Sequence, residues 1–335
     1  MKYDTFPHQK DLKVVCSRGY MDITKERIII TGGAGFLGRH LVSLLVADEC
    51  INPNNIYVPR SEEYDLRKEE DADRLFKEHS ASIVIHLASR SGGIGFMKSA
   101  PAKFFYDNLK MHLTTLEAAR KSGVETFIGI GSGLAYPAYA PIPLKESDFW
   151  NGYPEESAAP YGLAKRVLLA QIQLYKKQYG MNTIYLILPS LYGPQDHFDP
   201  AVAHIIPSII MKCDAAVKEG KHEIEAWGSG KATREFLYVQ DAARGIVLAI
   251  KKYADTAPLN LGSGLETDMR TLTELIARSV GFNGKIRWDQ SKPEGALRRC
   301  LDSTRAQTEL GFTPTISLEK GIQETVNWYR SSRAA

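Results

Sequence analysis

From residue 25 to 190 the chain alternates short runs of consecutive apolar residues with longer stretches in which apolar residues recur every three or four positions. Ile28-Ile29-Ile30, SIVIHLA (82–88) and ETFIGIG (125–131) are runs of the first kind, the pattern of strands buried on both faces. Leu37, Leu41, Leu44 and Leu45 are of the second kind, the pattern of a helix covering one face of a sheet. Strand, turn and helix repeated in that order predict an α/β protein built on a Rossmann-like doubly wound parallel sheet. The alternation breaks beyond about residue 195. HFDPAVAHIIPSIIMK (197–212) reads as a loop and helix, KHEIEAWGSGKATREFLYVQDAA (221–243) as a strand pair and the start of a helix, and GFNGKIRWDQSKPEGALRR (281–299) as a basic loop. Three parts follow: an extension over 1–24, a sheet domain over 25–190 to which a segment at about 235–262 returns, and a smaller C-terminal α/β lobe over 191–335.

Between the first strand and the first helix stands TGGAGFLG (31–38), with glycines at Gly32, Gly35 and Gly38. The spacing differs from the common G-x-G-x-x-G, but the physical task is the same. Glycines there permit a tight turn, close approach of backbone N–H groups to a pyrophosphate, and tight packing of the helix on the strand. Phe36 and Leu37 belong to the same turn, which is expected to hold a dinucleotide. The next strand, NNIYVPR, ends in Arg60, at about the place where NAD-selective folds present a carboxylate to the ribose 2′-hydroxyl. A guanidinium there would pair with a 2′-phosphate, which favours NADP(H) over NAD(H), although Glu62 and Glu63 follow closely. Asp65, Leu66, Leu87 and Ala88, with His86 before them, fall at later strand ends and are expected to border the cofactor.

The fourth strand runs into Ser132, and a later helix opens with Tyr161 and carries Lys165. Positions i and i+4 share a helix face, so Tyr161 and Lys165 point the same way. A phenol is a poor acid-base group at neutral pH, but a nearby ammonium favours the phenolate and lowers its pKa. Ser132 would hold the same substrate oxygen for hydride transfer, and Lys165 can also reach the nicotinamide ribose.

With these motifs in this order, the chain resembles the extended short-chain dehydrogenase/reductases that act on nucleotide sugars. Within them it is most similar to the GDP-L-fucose synthases, which are GDP-4-keto-6-deoxymannose epimerase/reductases, and more distantly to the GDP-mannose 3,5-epimerases. The resemblance spans about residues 26 to 330. It is carried by HLASRSGGI (86–94), GSGLAYP (131–137), PYGLAK (160–165), LYGPQDHF (191–198), HIIP (204–207), WGSGKATREFLYVQDAA (227–243) and SKPEGALRR (291–299). It implies a nucleotide-diphosphate sugar, GDP-linked in those relatives' manner, bound through Ser132, Arg234 and Lys292, with Arg298 in reserve. It also implies a homodimer through the helices near 102–121 and 163–178, whose Leu109, Leu113, Leu116, Val167, Leu168 and Ile172 equally suit packing on the sheet.

Two departures qualify what is implied. The epimerising relatives read like GSSCIYP and YGPHDNF, with a Cys and a His as acid-base residues; Leu134 and Gln195 stand here. Inversion at C3 or C5 needs two titratable groups, and neither leucine nor an amide is one. His197 is the nearby candidate for rescue, at a place where the relatives have a non-titrating polar residue. The expected reaction is therefore NADPH-dependent reduction of the C4 ketone of a nucleotide-linked 4-keto-6-deoxy sugar, with epimerisation in doubt. An epimerase (3,5- or 4-) with tightly held NAD(P)+ and a non-catalytic NADP-binding regulator are the alternatives. A 4,6-dehydratase is disfavoured, because such relatives place Asp-Glu after the serine and Gly133-Leu134 stand here.

Composition narrows the partners. The 335 residues carry 42 basic and 39 acidic side chains, a net charge of +3, without the basic block that tracks a nucleic-acid backbone. No apolar run reaches the roughly 18 residues of a membrane span. Cys16, Cys50, Cys213 and Cys300 lie far apart, so neither a metal site nor a disulfide framework is expected, and a cytoplasmic protein fits. Residues 1–24 lack the apolar core of a signal peptide, and Met21 is an alternative start.

Overall fold

The computed structural model describes residues 21–92, 99–292 and 295–334. Its strands, in chain order, are β1 (Ile28–Thr31), β2 (Ile56–Tyr57), β3 (Ile83–His86), β4 (Thr126–Ser132), β5 (Asn182–Leu188), β6 (Ser190–Tyr192), β7 (Glu223–Trp227), β8 (Thr233–Tyr238), β9 (Leu259–Asn260), β10 (Glu266–Asp268) and β11 (Lys285–Asp289). A six-stranded sheet runs β2-β1-β3-β4-β5-β9 with every neighbouring pair parallel. The apolar runs are buried on both sides, as their lack of alternation requires.

One face of the sheet is covered by α1 (Phe36–Ala47) through Leu41 and Leu45, together with the helix Val239–Lys252 through Ile246 and Ile250. The other is covered by α2 (Glu69–Glu78), α3 (Pro101–Lys121) and α4 (Ala159–Tyr179), through Leu75, Leu116, Leu168 and Ile172. The last three of these side chains therefore pack on the sheet, whereas Leu113 is exposed, as are Tyr106 and Leu174 on the same pair of helices. The chain winds outward from β1 to β2 and then crosses back to β3. That reversal opens a crevice at the carboxyl ends of β1 and β3, the place where such sheets bind ligands.

A further core gathers Ile210, Leu272, Ile276, Ile322 and Val326 around a three-stranded sheet, β10-β8-β6, and a two-stranded one, β11-β7. Two expectations need correction. The strands of 221–243 are not partners: β7 pairs with β11, while β8 lies between β10 and β6. Between them, Gly228 and Gly230 take φ of 80° and 79°, a backbone suited to glycine that sends the chain to a different sheet. The basic loop expected over 281–299 contains strand β11, which charge had hidden. Arg287 pairs with Glu223 and Glu225 across the ladder, so this strand is held partly by opposite charges. The N-terminal extension is tied down by its last residues: Ile23 is buried, and the Met21 N–H donates to the Lys251 carbonyl at 3.1 Å. Residues 1–20, including Cys16, lie outside the described residues, as do Gly93, Ile94, Pro293 and Glu294 of the quoted motifs. No helix among the described residues is long and apolar enough to cross a membrane.

Candidate active site

The crevice is a cleft of about 1320 Å³ between the carboxyl ends of the sheet strands and the C-terminal elements. Gly32, Gly35, Phe36, Leu37 and Gly38 form part of its wall. Gly32 takes φ of 71°, and a Cβ there would lie 2.8 Å from the Ala88 nitrogen, so the turns after β1 and β3 touch. A Cβ on Gly38 would lie 2.4 Å from the Gly32 carbonyl oxygen, which lets α1 start directly on the turn. Gly35 caps that helix with no side-chain acceptor, and its first turn holds no acidic residue. Its N–H groups are thus left for an external anion, and the cradle fits a dinucleotide pyrophosphate.

Arg60, Asp65, Leu66, Leu87 and Ala88 also line this end. The Arg60 side chain is 56% exposed, with Glu62 4.0 Å away. Arg67 holds both Asp65 oxygens at 2.8 Å, and these bonds keep the Asp65 carboxyl below its ordinary pKa. His86 does not border the cleft. Its fully buried ring bonds Thr31 Oγ1 at 2.8 Å and His112 Nδ1 at 2.9 Å, and burial drives its pKa down to about 3.

Ser132, Tyr161 and Lys165 come together on the cleft wall. Ser132 ends β4 and caps a short 3₁₀ turn, accepting the Leu134 N–H at 3.2 Å, which leaves its own hydroxyl proton to donate. Helix α4 begins against that turn. A Cβ on Gly162 would lie 2.7 Å from the Leu134 carbonyl, and Arg166 Nε donates to the Ala135 carbonyl at 2.7 Å. This contact brings the partly buried Tyr161 against Leu134, two residues after Ser132. Lys165 Nζ lies 5.4 Å from the tyrosine ring centroid, and the side chain is 1% exposed. The electrostatics differ from the sequence expectation. Burial raises the Tyr161 pKa and drives that of Lys165 down to about 7, because desolvation penalises the charged form of each.

Of the residues expected to face a substrate, Arg234 lines the cleft and Lys292 does not; its exposed side chain lies in the turn after β11. Arg298 is exposed and paired with Glu266. The adjacent Arg299 is the one that lines the cleft, with Nη1 donating to the Gly133 carbonyl at 2.8 Å. Burial and then the nearby Arg234 lower its pKa, against Glu155. Residues 297–299 run beside β8, and an extended chain turns neighbouring side chains to opposite sides, a signal available once the strand is known. Trp227, not counted from sequence, also lines the cleft. So do Leu134 and His197, whereas Gln195, with φ of 67°, does not. Among the described residues no cluster of His, Cys, Asp or Glu could hold a metal ion.

A family model described as the NAD dependent epimerase/dehydratase family matches residues 28–262. The chain belongs to this family. Among relatives in the family, a probable GDP-L-fucose synthase 1 of Oryza sativa subsp. japonica is 34% identical over 308 residues, covering 90% of this chain and 92% of its own. A GDP-6-OMe-4-keto-L-xylo-heptose reductase from C. jejuni superposes with a TM-score of 0.86 at 25% identity, over 94% of this chain and 100% of that one. A GDP-L-fucose synthetase from Naegleria fowleri bound to NADP gives 0.83 at 26% identity, over 93% and 96%.

Proposed function

We propose that this protein is a nucleotide-sugar-modifying enzyme that reduces the C4 ketone of a GDP-linked 4-keto sugar. The observation that carries the reading is that Ser132, Tyr161 and Lys165 line the same cleft as the glycine cradle. The relatives support it, since their names include GDP-sugar synthases and a GDP-4-keto-heptose reductase. The 32–38 turn would hold NADPH, with Arg60 as the partner of its 2′-phosphate, and the bound cofactor would supply the hydride.

The chain's own residues do the rest. Ser132 donates its free hydroxyl proton to the ketone oxygen and holds that oxygen beside Tyr161. Tyr161 gives up its phenolic proton to the same oxygen as negative charge develops there. Lys165, once protonated, stabilises the phenolate left behind. Arg234 and Arg299 face the cleft from the C-terminal side as cations for the diphosphate. Lys292 joins them only by reaching from an exposed turn. We place a homodimer contact on the exposed Tyr106, Leu113 and Leu174 of α3 and α4.

Leu134 in the cleft carries no titratable group, which favours reduction without inversion. His197 on the same cleft favours a second reading in which one acid-base group survives. Incubation with NADPH and a GDP-4-keto-6-deoxy sugar in deuterated water separates the two. Reduction consumes NADPH and leaves C3 and C5 unlabelled; label at either carbon that disappears in His197→Asn establishes the second reading. No NADPH consumption with any 4-keto sugar overturns both.

A further inference from the structure

Arg299 reaches the cleft from a stretch of chain outside every named strand and helix, and a buried carboxylate holds that stretch in place. Glu235 of β8 is 3% exposed and lines the cleft. Its own N–H donates to the Arg299 carbonyl at 3.1 Å, and its Oε2 accepts the Leu301 N–H at 2.7 Å. Between these two bonds the Cys300 carbonyl accepts the Leu144 N–H at 2.8 Å. The backbone of 299–301 is thus fixed at three consecutive residues.

The other carboxylate oxygen is engaged elsewhere. Glu235 Oε1 accepts the Gly264 N–H at 2.7 Å and the Ser263 hydroxyl at 3.3 Å, in the turn between β9 and β10. A Cβ on Gly262 would lie 2.2 Å from Oε1, so the carboxylate lies where it does only because that position is glycine. Both oxygens therefore accept backbone N–H groups, each from a separate segment. A carboxylate can do this and an amide cannot, because one end of an amide is itself a donor. At the tip of its side chain, Arg299 Nη1 donates to the carbonyl of Gly133, the residue after Ser132, at 2.8 Å. Arg299 thus spans from the strap beside β8 to the end of β4, and its direction depends on where the 299–301 backbone lies.

We propose that Glu235 is a positioning residue of the nucleotide-sugar site: it holds the 299–301 backbone against β8 so that the Arg299 guanidinium stays in the cleft, where it meets the substrate diphosphate. This rests on the reading of Arg299 as a cation for that diphosphate. Burial and the nearby Arg234 both oppose a charge on Arg299, so the guanidinium remains there only while its backbone and the Gly133 bond hold it. The negative charge of Glu235, which would repel a diphosphate, is directed instead at the N–H groups of Leu301 and Gly264. Glu235 acts on the substrate through Arg299 and makes no bond to it.

The test is a double-mutant cycle on GDP affinity, measured by isothermal titration calorimetry with wild type, Glu235→Gln, Arg299→Ala and the double variant. In Glu235→Gln the amide NH2 must face the N–H of either Leu301 or Gly264, and the dissociation constant for GDP is expected to rise about tenfold. In the Arg299→Ala background the same change should add nothing, because the group that Glu235 positions is gone. NADPH affinity should be unchanged, and KM for a GDP-4-keto sugar should rise with kcat held. Gly262→Ala keeps the charge but presses a methyl group on Oε1, and should reproduce the loss for GDP. A folded Glu235→Gln that binds GDP as wild type does, or one whose loss adds in full to that of Arg299→Ala, overturns the proposal. So does a variant that loses thermal stability alone, which would make Glu235 a brace between segments. Undiminished GDP affinity in Arg299→Ala overturns the reading of Arg299 instead.

Discussion

Lys165→Met should make the protein more stable while removing its activity. The lysine is 1% exposed, and burial drives its pKa from an ordinary 10.5 to about 7. At about 1.36 kcal/mol per pKa unit, that fall corresponds to a cost approaching 5 kcal/mol for keeping the ammonium inside the folded protein. Local relaxation and water entry reduce such costs, so about 2–3 kcal/mol is the expected gain from an uncharged side chain of similar length. The sign follows from proton binding. Below about pH 7 the lysine is protonated in both states and the folded state carries the full cost. Between 7 and 10.5 the unfolded chain holds a proton that the folded one does not, so wild-type stability rises with pH through this window. The advantage of Lys165→Met is therefore fully present below about pH 7 and vanishes as pH climbs toward 10.5. Urea unfolding of both proteins at about pH 6 and about pH 10 measures it. A variant no more stable than wild type at the lower pH, or with an advantage that persists at the higher, refutes the reasoning.

Other outcomes follow from single contacts. Arg60→Glu should raise KM for NADPH about tenfold or more and leave that for NADH nearly unchanged, since it exchanges a phosphate partner for a like charge. Parallel loss with both cofactors would mean that Arg60 does not read the 2′-phosphate. Gly38→Ala places a Cβ 2.4 Å from the Gly32 carbonyl oxygen, so dinucleotide binding measured by fluorescence titration should be lost along with about 1–3 kcal/mol of stability. Undiminished binding would move the cofactor elsewhere. Asn260→Ala should cost about 2–4 kcal/mol in denaturant unfolding. It strands the Tyr136 hydroxyl and the Leu144 and Asp302 carbonyls, which that amide now bonds at 2.8, 2.9 and 3.0 Å.

How much of the site was legible depended on whether its signal was local. The glycine turn, Ser132 and the Tyr161–Lys165 pair could be read because strand order and helix periodicity place them without knowledge of distant contacts. Local spacing also implied that Lys165 would lower the Tyr161 pKa. Burial pushes the Tyr161 pKa up instead, and burial is a property of the packed protein. Asn108 gave no signal, being an ordinary polar residue until β3 and α3 bring it against Ser89 and Arg90. The sequence reading named Lys292 and Arg298 and passed over Arg299, which lines the cleft, for the same reason. Three cations within eight positions look alike until the path beside β8 turns one into the cleft.

The sequence by itself determined the doubly wound sheet, because unbroken apolar runs can only be satisfied by covering both faces, and it determined the glycine turn after β1, because only glycine tolerates those approaches. Tertiary structure alone decided which charges face the cleft, where β7 and β8 find their partners, and how strongly each buried proton is held. Those depend on distances across the fold and on exclusion of water, which no single stretch of chain encodes.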